Sequence, residues 1–291
     1  MGKNLKKKGK HFKILKRRYK FIIFLLSIII IIAVAYIIRN LKDKEEVQEE
    51  SKLLNTIEIE ETEVTENKTE RMLQVEKLRQ ENSDIVGWVE IEGTNINYPV
   101  LQGGDNSYYM THNYKKEENT YGSIFLDKDY DWSKPSSNLL IYGHNLQNGS
   151  MFHDLLNYSK ESYYEEHPIV RFTTEDEDLE FEIISAFYSR VYYKSEKNVF
   201  RYYYFIDAEN EEEYNEFVQD AKDASIYDTG KTAEYGDRLI TLSTCSYHTE
   251  DGRFAIVARE KDKNWFYLFL CACTLYYKKS VYFYKFSIYY F

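Results

Sequence analysis

Between Asp84 and Arg259, apolar residues recur in short runs separated by turn formers, the pattern of strands rather than of long helices. The runs cover residues 86–91, 95–101, 122–126, 138–142, 169–173, 179–188, 238–244 and 254–259. They are rich in Ile, Val, Tyr and Phe, which suit a pleated, half-buried surface. About eight such strands predict a mainly β domain, closed into a barrel rather than left as an open sheet.

Helical spacing appears in three places. Met72, Val75 and Leu78 repeat on one face, with Thr69 placed to cap their start. Ser150 is placed to cap a short helix over Met151-Phe-His-Asp-Leu-Leu, whose apolar residues share a face. Residues 209–223 set Tyr214, Phe217, Val218 and Ala221 at helical spacing in an acidic context, the mark of a surface helix with one buried side. The expected fold is a closed β-barrel with an N-terminal helix and a further helix before the last two strands.

Ahead of this domain stands an unbroken apolar run. Residues 21–38 contain only Ser27 and the Tyr36 hydroxyl as polar groups. As a helix they span ~27 Å, close to the ~30 Å of a hydrocarbon core. A cleaved signal peptide also begins basic and turns apolar, but its apolar part is usually ~7–15 residues long and ends at small residues. This run is longer and ends in Tyr36-Ile-Ile-Arg39, so it predicts a retained transmembrane anchor. Charge orients it: residues 1–20 hold ten Lys or Arg and no acid, and the net −10 of the chain leaves −20 for the rest. Positive charge stays cytoplasmic, which places the N-terminus inside and the domain outside.

The remaining segments follow from composition. Residues 39–70 are acidic, nearly free of aromatics and too polar to fold by burial, so they read as a tether. The folded domain occupies 71–261. Residues 262–291 form a tail dense in Phe and Tyr, whose uncharged stretch 265–277 would span only ~20 Å as a helix. It reads as an interfacial or unstructured extension without a catalytic role, rather than as a second crossing.

An acidic exterior argues against nucleic acid as a partner, and no His-Glu-x-x-His or paired Cys-x-x-Cys spacing in the body supports a metal site. The chemistry rests on one thiol. Cys245 is the only cysteine of the body, since Cys271 and Cys273 lie in the tail, too near one another for an easy disulfide. A buried cysteine acting as a small apolar residue is the plain alternative. Yet Cys245 ends the strand Arg238-Leu-Ile-Thr-Leu-Ser-Thr-Cys245, and Asp251-Gly252 supplies turn chemistry before Arg253 opens the next. Antiparallel pairing sets the guanidinium beside the sulfur, where it favours the thiolate and can donate to an oxyanion. Acyl transfer also needs a proton donor for the leaving amine, a task that suits histidine. The pattern leaves two open: His144, at a strand end after Gly143, and His248, in the loop three residues past Cys245.

Several stretches then point the same way. Leu242-Ser-Thr-Cys245 with Gly252-Arg253 downstream and Ile141-Tyr-Gly-His144 upstream resembles the sortases, and class B in particular. The likeness extends through Asp84-Ile-Val-Gly-Trp-Val-Glu-Ile-Glu-Gly-Thr-Asn-Ile-Asn-Tyr-Pro-Val, Asp105-Asn-Ser-Tyr-Tyr and Gly122-Ser-Ile-Phe-Leu-Asp127, in order across about residues 72–261. The resemblance implies a sortase-type barrel and an extracytoplasmic cysteine transpeptidase without a cofactor. Such an enzyme cuts a C-terminal sorting signal of x-Pro-x-Thr type after Thr, holds the surface protein as a thioester and passes it to a cell-wall precursor or peptidoglycan amine. By the same resemblance Cys245 is the nucleophile, His144 the general acid and base, and Arg253 the oxyanion and substrate stabiliser. Ser243, Tyr142, Asn106 and Met110 fall where the family lines its signal groove, with Met110 standing where a leucine is more usual. The aromatic tail departs from the family pattern.

Two other readings share the same residues. A cysteine endopeptidase would let water resolve the acyl-enzyme, and a non-enzymatic surface protein would itself be sorted. Pro99, Pro135 and Pro168 lie in Tyr-Pro-Val, Lys-Pro-Ser and His-Pro-Ile, so the chain carries no Leu-Pro-x-Thr-Gly or Asn-Pro-x-Thr signal of its own. That favours the sorter over the sorted.

Overall fold

The computed structural model describes residues 19–39, 41–42, 45–47 and 68–261. Most of the basic segment and of the acidic tether, and the tail 262–291 with Cys271 and Cys273, lie outside the described residues. The apolar run forms helix α1, Tyr19–Arg39, long and apolar enough to cross a membrane by length and composition.

Eight strands close into one barrel. They are β1 (Ile85–Glu90), β2 (Asn97–Leu101), β3 (Ile124–Leu126), β4 (Asn138–Gly143), β5 (Ile169–Thr173), β6 (Asp178–Arg190), β7 (Leu239–Cys245) and β8 (Gly252–Glu260). Their order around the barrel is β1-β2-β3-β4-β7-β8-β6-β5, closed by β1 against β5. The pairs β2–β3 and β4–β7 are parallel, and the remaining pairs are antiparallel. Closure leaves no free edge, which suits strands as apolar as these.

Strand alternation sends one set of side chains inward and the next outward. Ile141, Ile240, Leu242, Phe254 and Ile256 fill the barrel, while Leu140, Leu239, Ala255 and Val257 join an outer cluster. Two helices cover outer faces. Helix α2, Glu70–Glu81, lays Val75 and Leu78 on Ile85, Trp88, Leu101 and Phe125. Its start is capped as the sequence predicts, with Thr69 Oγ1 accepting from Met72 N at 3.4 Å. Helix α4, Glu211–Asp223, buries Tyr214, Phe217, Val218 and Ala221 against the outer side of β6, β7 and β8. Its own cap is Asn210, whose side chain accepts from Glu213 N.

One expectation fails. Ser150 caps no helix, because Asn148 takes both its amide and its hydroxyl, and Met151 turns to φ 57°, which no helix start can use. A 3₁₀ segment begins two residues later, at His153–Ser159, without a side-chain cap. A short helix α3, Glu161–Glu166, follows it; with no buried residue, it left no apolar signature in the sequence.

Candidate active site

The alternation that fills the barrel also builds the site. On β4, β7 and β8 the outward positions end in Tyr142, Ser243, Cys245 and Arg253. Register aligns them: Tyr142 faces Ser243 across β4–β7, and Cys245 faces Arg253 across β7–β8. The turn between β7 and β8 sets that last pairing. Ser246 N donates to Gly252 O at 2.9 Å, and Asp251 adopts φ 52°, a left-handed conformation that Asp tolerates. A Cβ on Gly252 would lie 2.1 Å from Ser246 O, so only glycine lets the two strand ends approach this closely. Arg253 steadies itself by donating from Nη1 to Gly252 O at 2.9 Å, with Cys245 and Arg253 both half-buried.

His144 leaves the end of β4 through Gly143. A Cβ on Gly143 would meet Ile124 Cδ1 at 2.4 Å and Phe152 at 2.7 Å, so the strand end can pack there only as glycine. The His144 carbonyl accepts from Phe152 N at 2.9 Å, and its ring Nε2 lies 2.8 Å from Met110 O. A carbonyl only accepts, so Nε2 carries the hydrogen and Nδ1 is left to exchange a proton in the cleft. The next residue joins the two strand ends: Asn145 Nδ2 donates to Cys245 O at 3.0 Å, and its Oδ1 lies 2.7 Å from His153 Nδ1.

All seven residues singled out from the sequence line one cavity of about 230 Å³. His144, Cys245 and Arg253 share it with Ser243, Tyr142, Asn106 and Met110. His248 does not line it. That ring is exposed, with Nδ1 2.9 Å from Ser246 Oγ and tilted at 54° to the Tyr188 ring.

The cavity also has walls that the sequence reading missed. Tyr202 and Tyr203, from a 3₁₀ turn at Tyr202–Tyr204, and Val191, just past β6, also line it. Tyr202 is buried, its hydroxyl 2.7 Å from Ser243 Oγ; burial pushes that phenol up to about 12 against the opposing pull of the Ser243 hydrogen bond and of Arg253. Tyr202 sits in a run of three tyrosines between strands, and no spacing rule distinguishes the one that turns inward.

This geometry can be set beside known proteins. The Sortase domain family matches residues 89–261, more than half of the chain. Sortase B of Staphylococcus aureus (strain NCTC 8325 / PS 47) is 31% identical over 247 residues, covering 84% of this chain and 97% of that protein. The chain belongs to the sortases, in class B. Sortase B of Listeria monocytogenes serovar 1/2a is 32% identical over 219 residues, covering 74% of this chain and 84% of that protein. Among solved structures, a Staphylococcus aureus sortase B-substrate complex superposes with a TM-score of 0.60 at 29% identity, over 76% of this chain and 95% of that one. The sortase fold expected from the sequence is thus the fold observed, and the chain is a cysteine transpeptidase of the kind that anchors surface proteins.

Proposed function

We propose that this sortase is held in the membrane by α1, with its N-terminus cytoplasmic, and that it cleaves a sorting signal of x-Pro-x-Thr type after Thr. The observation that carries the reading is the single cavity shared by Cys245, His144 and Arg253. Cys245, as thiolate, attacks the Thr carbonyl and forms the carbon–sulfur bond. The carbonyl electrons move to oxygen, and Arg253, facing Cys245 across the hairpin, donates to that oxyanion. His144 gives its Nδ1 proton to the departing amine as the peptide bond breaks, leaving a thioester. A cell-wall precursor amine then attacks the thioester, gives its proton back to His144 and releases the thiolate. Met110 O keeps the other ring nitrogen protonated throughout and supports the imidazolium.

Asn106, Met110, Tyr142 and Ser243 form the groove that receives the signal. Asn106 and Met110 come from the loop before β3, Tyr142 and Ser243 from the sheet. No cofactor enters any step.

The experiment separates amine from water as the final acceptor. The full chain in detergent is incubated with an x-Pro-x-Thr peptide library and with or without an oligoglycine amine, and products are read by mass spectrometry. Ligated product cut after Thr is expected. Hydrolysis alone, at a rate indifferent to the amine, would mean an endopeptidase.

A further inference from the structure

We propose that Asp127 is a positioning residue that sets the shape of the signal groove by tying Asn106 to Tyr142. This rests on the assignment of those two residues to the groove. Asp127 stands just past β3 and is only 4% exposed. Its Oδ2 accepts from Asn106 Nδ2 at 2.8 Å and from Tyr142 Oη at 3.0 Å, and its Oδ1 accepts from Asp129 N at 3.0 Å. Each of these donors is neutral. The backbone of Asp127 is itself pinned, donating to Leu140 O at 2.8 Å and accepting from Gln102 Nε2 at 3.0 Å.

The chemistry of a carboxylate gives this arrangement its consequence. It only accepts, so the Tyr142 hydroxyl must donate to it and Asn106 must turn its nitrogen toward it. Lys128 N, donating to Asn106 Oδ1 at 2.8 Å, fixes the same amide orientation from the other side. Tyr142 therefore shows the groove its ring, with its hydroxyl proton committed, and burial together with the Asp127 charge holds that phenol far above its ordinary range. Asn106 arrives on a segment with no strand between Leu101 and Ile124, whereas Tyr142 belongs to β4. Asp127 is where the loop wall is fastened to the sheet wall, and hydrogen bonds to a charged group are stronger than neutral ones.

Asp127→Asn keeps the size and removes the charge, so either Asn106 and Tyr142 share a neutral oxygen while the new amide meets Asp129 N, or the amide turns toward both of them. With the full chain in detergent and an internally quenched x-Pro-x-Thr peptide, KM is expected to rise ~10-fold. In the same variant kcat stays within about twofold, since the reacting groups are untouched. Alkylation of Cys245 by iodoacetamide, which needs no groove, keeps its rate. Tyr142→Phe retains the ring but loses the tie, so it raises KM too, and the double variant is no worse than Asp127→Asn alone.

An unchanged KM in Asp127→Asn, beside raised values in Asn106→Ala and Tyr142→Ala, would overturn the proposal and leave the groove standing. Additive effects in the double variant would overturn it as well. Unchanged KM in both alanine variants would remove the groove assignment itself, and the proposal with it. Should Asp127→Asn lack a thermal transition, Tyr142→Phe decides alone, and an unchanged KM there sinks the idea.

Discussion

Along β4, β7 and β8 the backbone ladder runs unbroken to the strand ends, so Tyr142, Ser243, Cys245 and Arg253 inherit their places from register. The walls facing them are built otherwise. The stretch from Leu101 to Ile124 has no strand, and side chains shape it: Asp105 accepts from Ser107 N, Ser107 Oγ and Tyr108 N, which draws its carboxyl below the usual range. Between β6 and β7, Tyr202 packs its ring on Phe187 of the sheet and sets its hydroxyl against Ser243. Regular pairing places Cys245 and Arg253, proposed to act on the scissile bond, where a misplacement of about 1 Å can cost 10²-fold, and side-chain ties shape the loop walls proposed to select.

Substitutions of Cys245, Arg253 and His144 should therefore strike kcat, and those lining the groove KM or stability alone. The largest effect is expected for His144→Ala, which should abolish turnover, while His248→Ala stays within about twofold of the parent. Steady-state peptide kinetics check both, and the reverse result would break the division at once. Next comes Arg253→Ala, with ~10²–10³ lost in kcat from removal of an oxyanion donor. A rise in KM alone would reassign Arg253 to binding.

Gly143→Ala tests how tightly the ladder end is packed. Its methyl would press on Ile124 and Phe152, and overpacking of this kind costs ~1–3 kcal/mol. Calorimetry should show a lowered Tm, and an unchanged one would mean the strand end yields. Tyr202→Phe removes the hydroxyl contact with Ser243 and should cost about 1 kcal/mol. The smallest effect belongs to Thr69→Ala, far from the cleft. Its cap bond is long at 3.4 Å, and a loss near ~0.5 kcal/mol with unaltered kcat and KM is expected.

The same contrast explains what could be read from the chain beforehand. Strands announce themselves by alternation, and the Asp251-Gly252 turn fixes which residue faces Cys245, so the hairpin was legible to the residue. The barrel closure and helix α4 followed from apolar spacing for the same reason. The walls resisted. Ser150 looked like a cap because nothing in the order of residues says that Asn148 will claim its hydroxyl. The grip of Met110 on His144 runs through a backbone carbonyl, which every residue has, so no side-chain pattern can reveal it. Tyr202 was hidden among equivalent tyrosines, and Asp127 stood only as the last residue of a stretch resembling the family, with no role attached. Backbone periodicity is written in residue type, whereas contacts across long loops are decided only when the barrel brings them together.

The central claim is that Cys245 carries the acyl group and that the groups around it act on that bond. The measurement that tests it most directly is intact-protein and peptide mass spectrometry of the full chain, stopped by acid shortly after mixing with an x-Pro-x-Thr peptide. An added mass equal to the signal fragment ending in Thr is expected on the peptide containing Cys245, lost on addition of an amine and absent in Cys245→Ala. An adduct that persists in Cys245→Ala, or turnover by that variant, would contradict it.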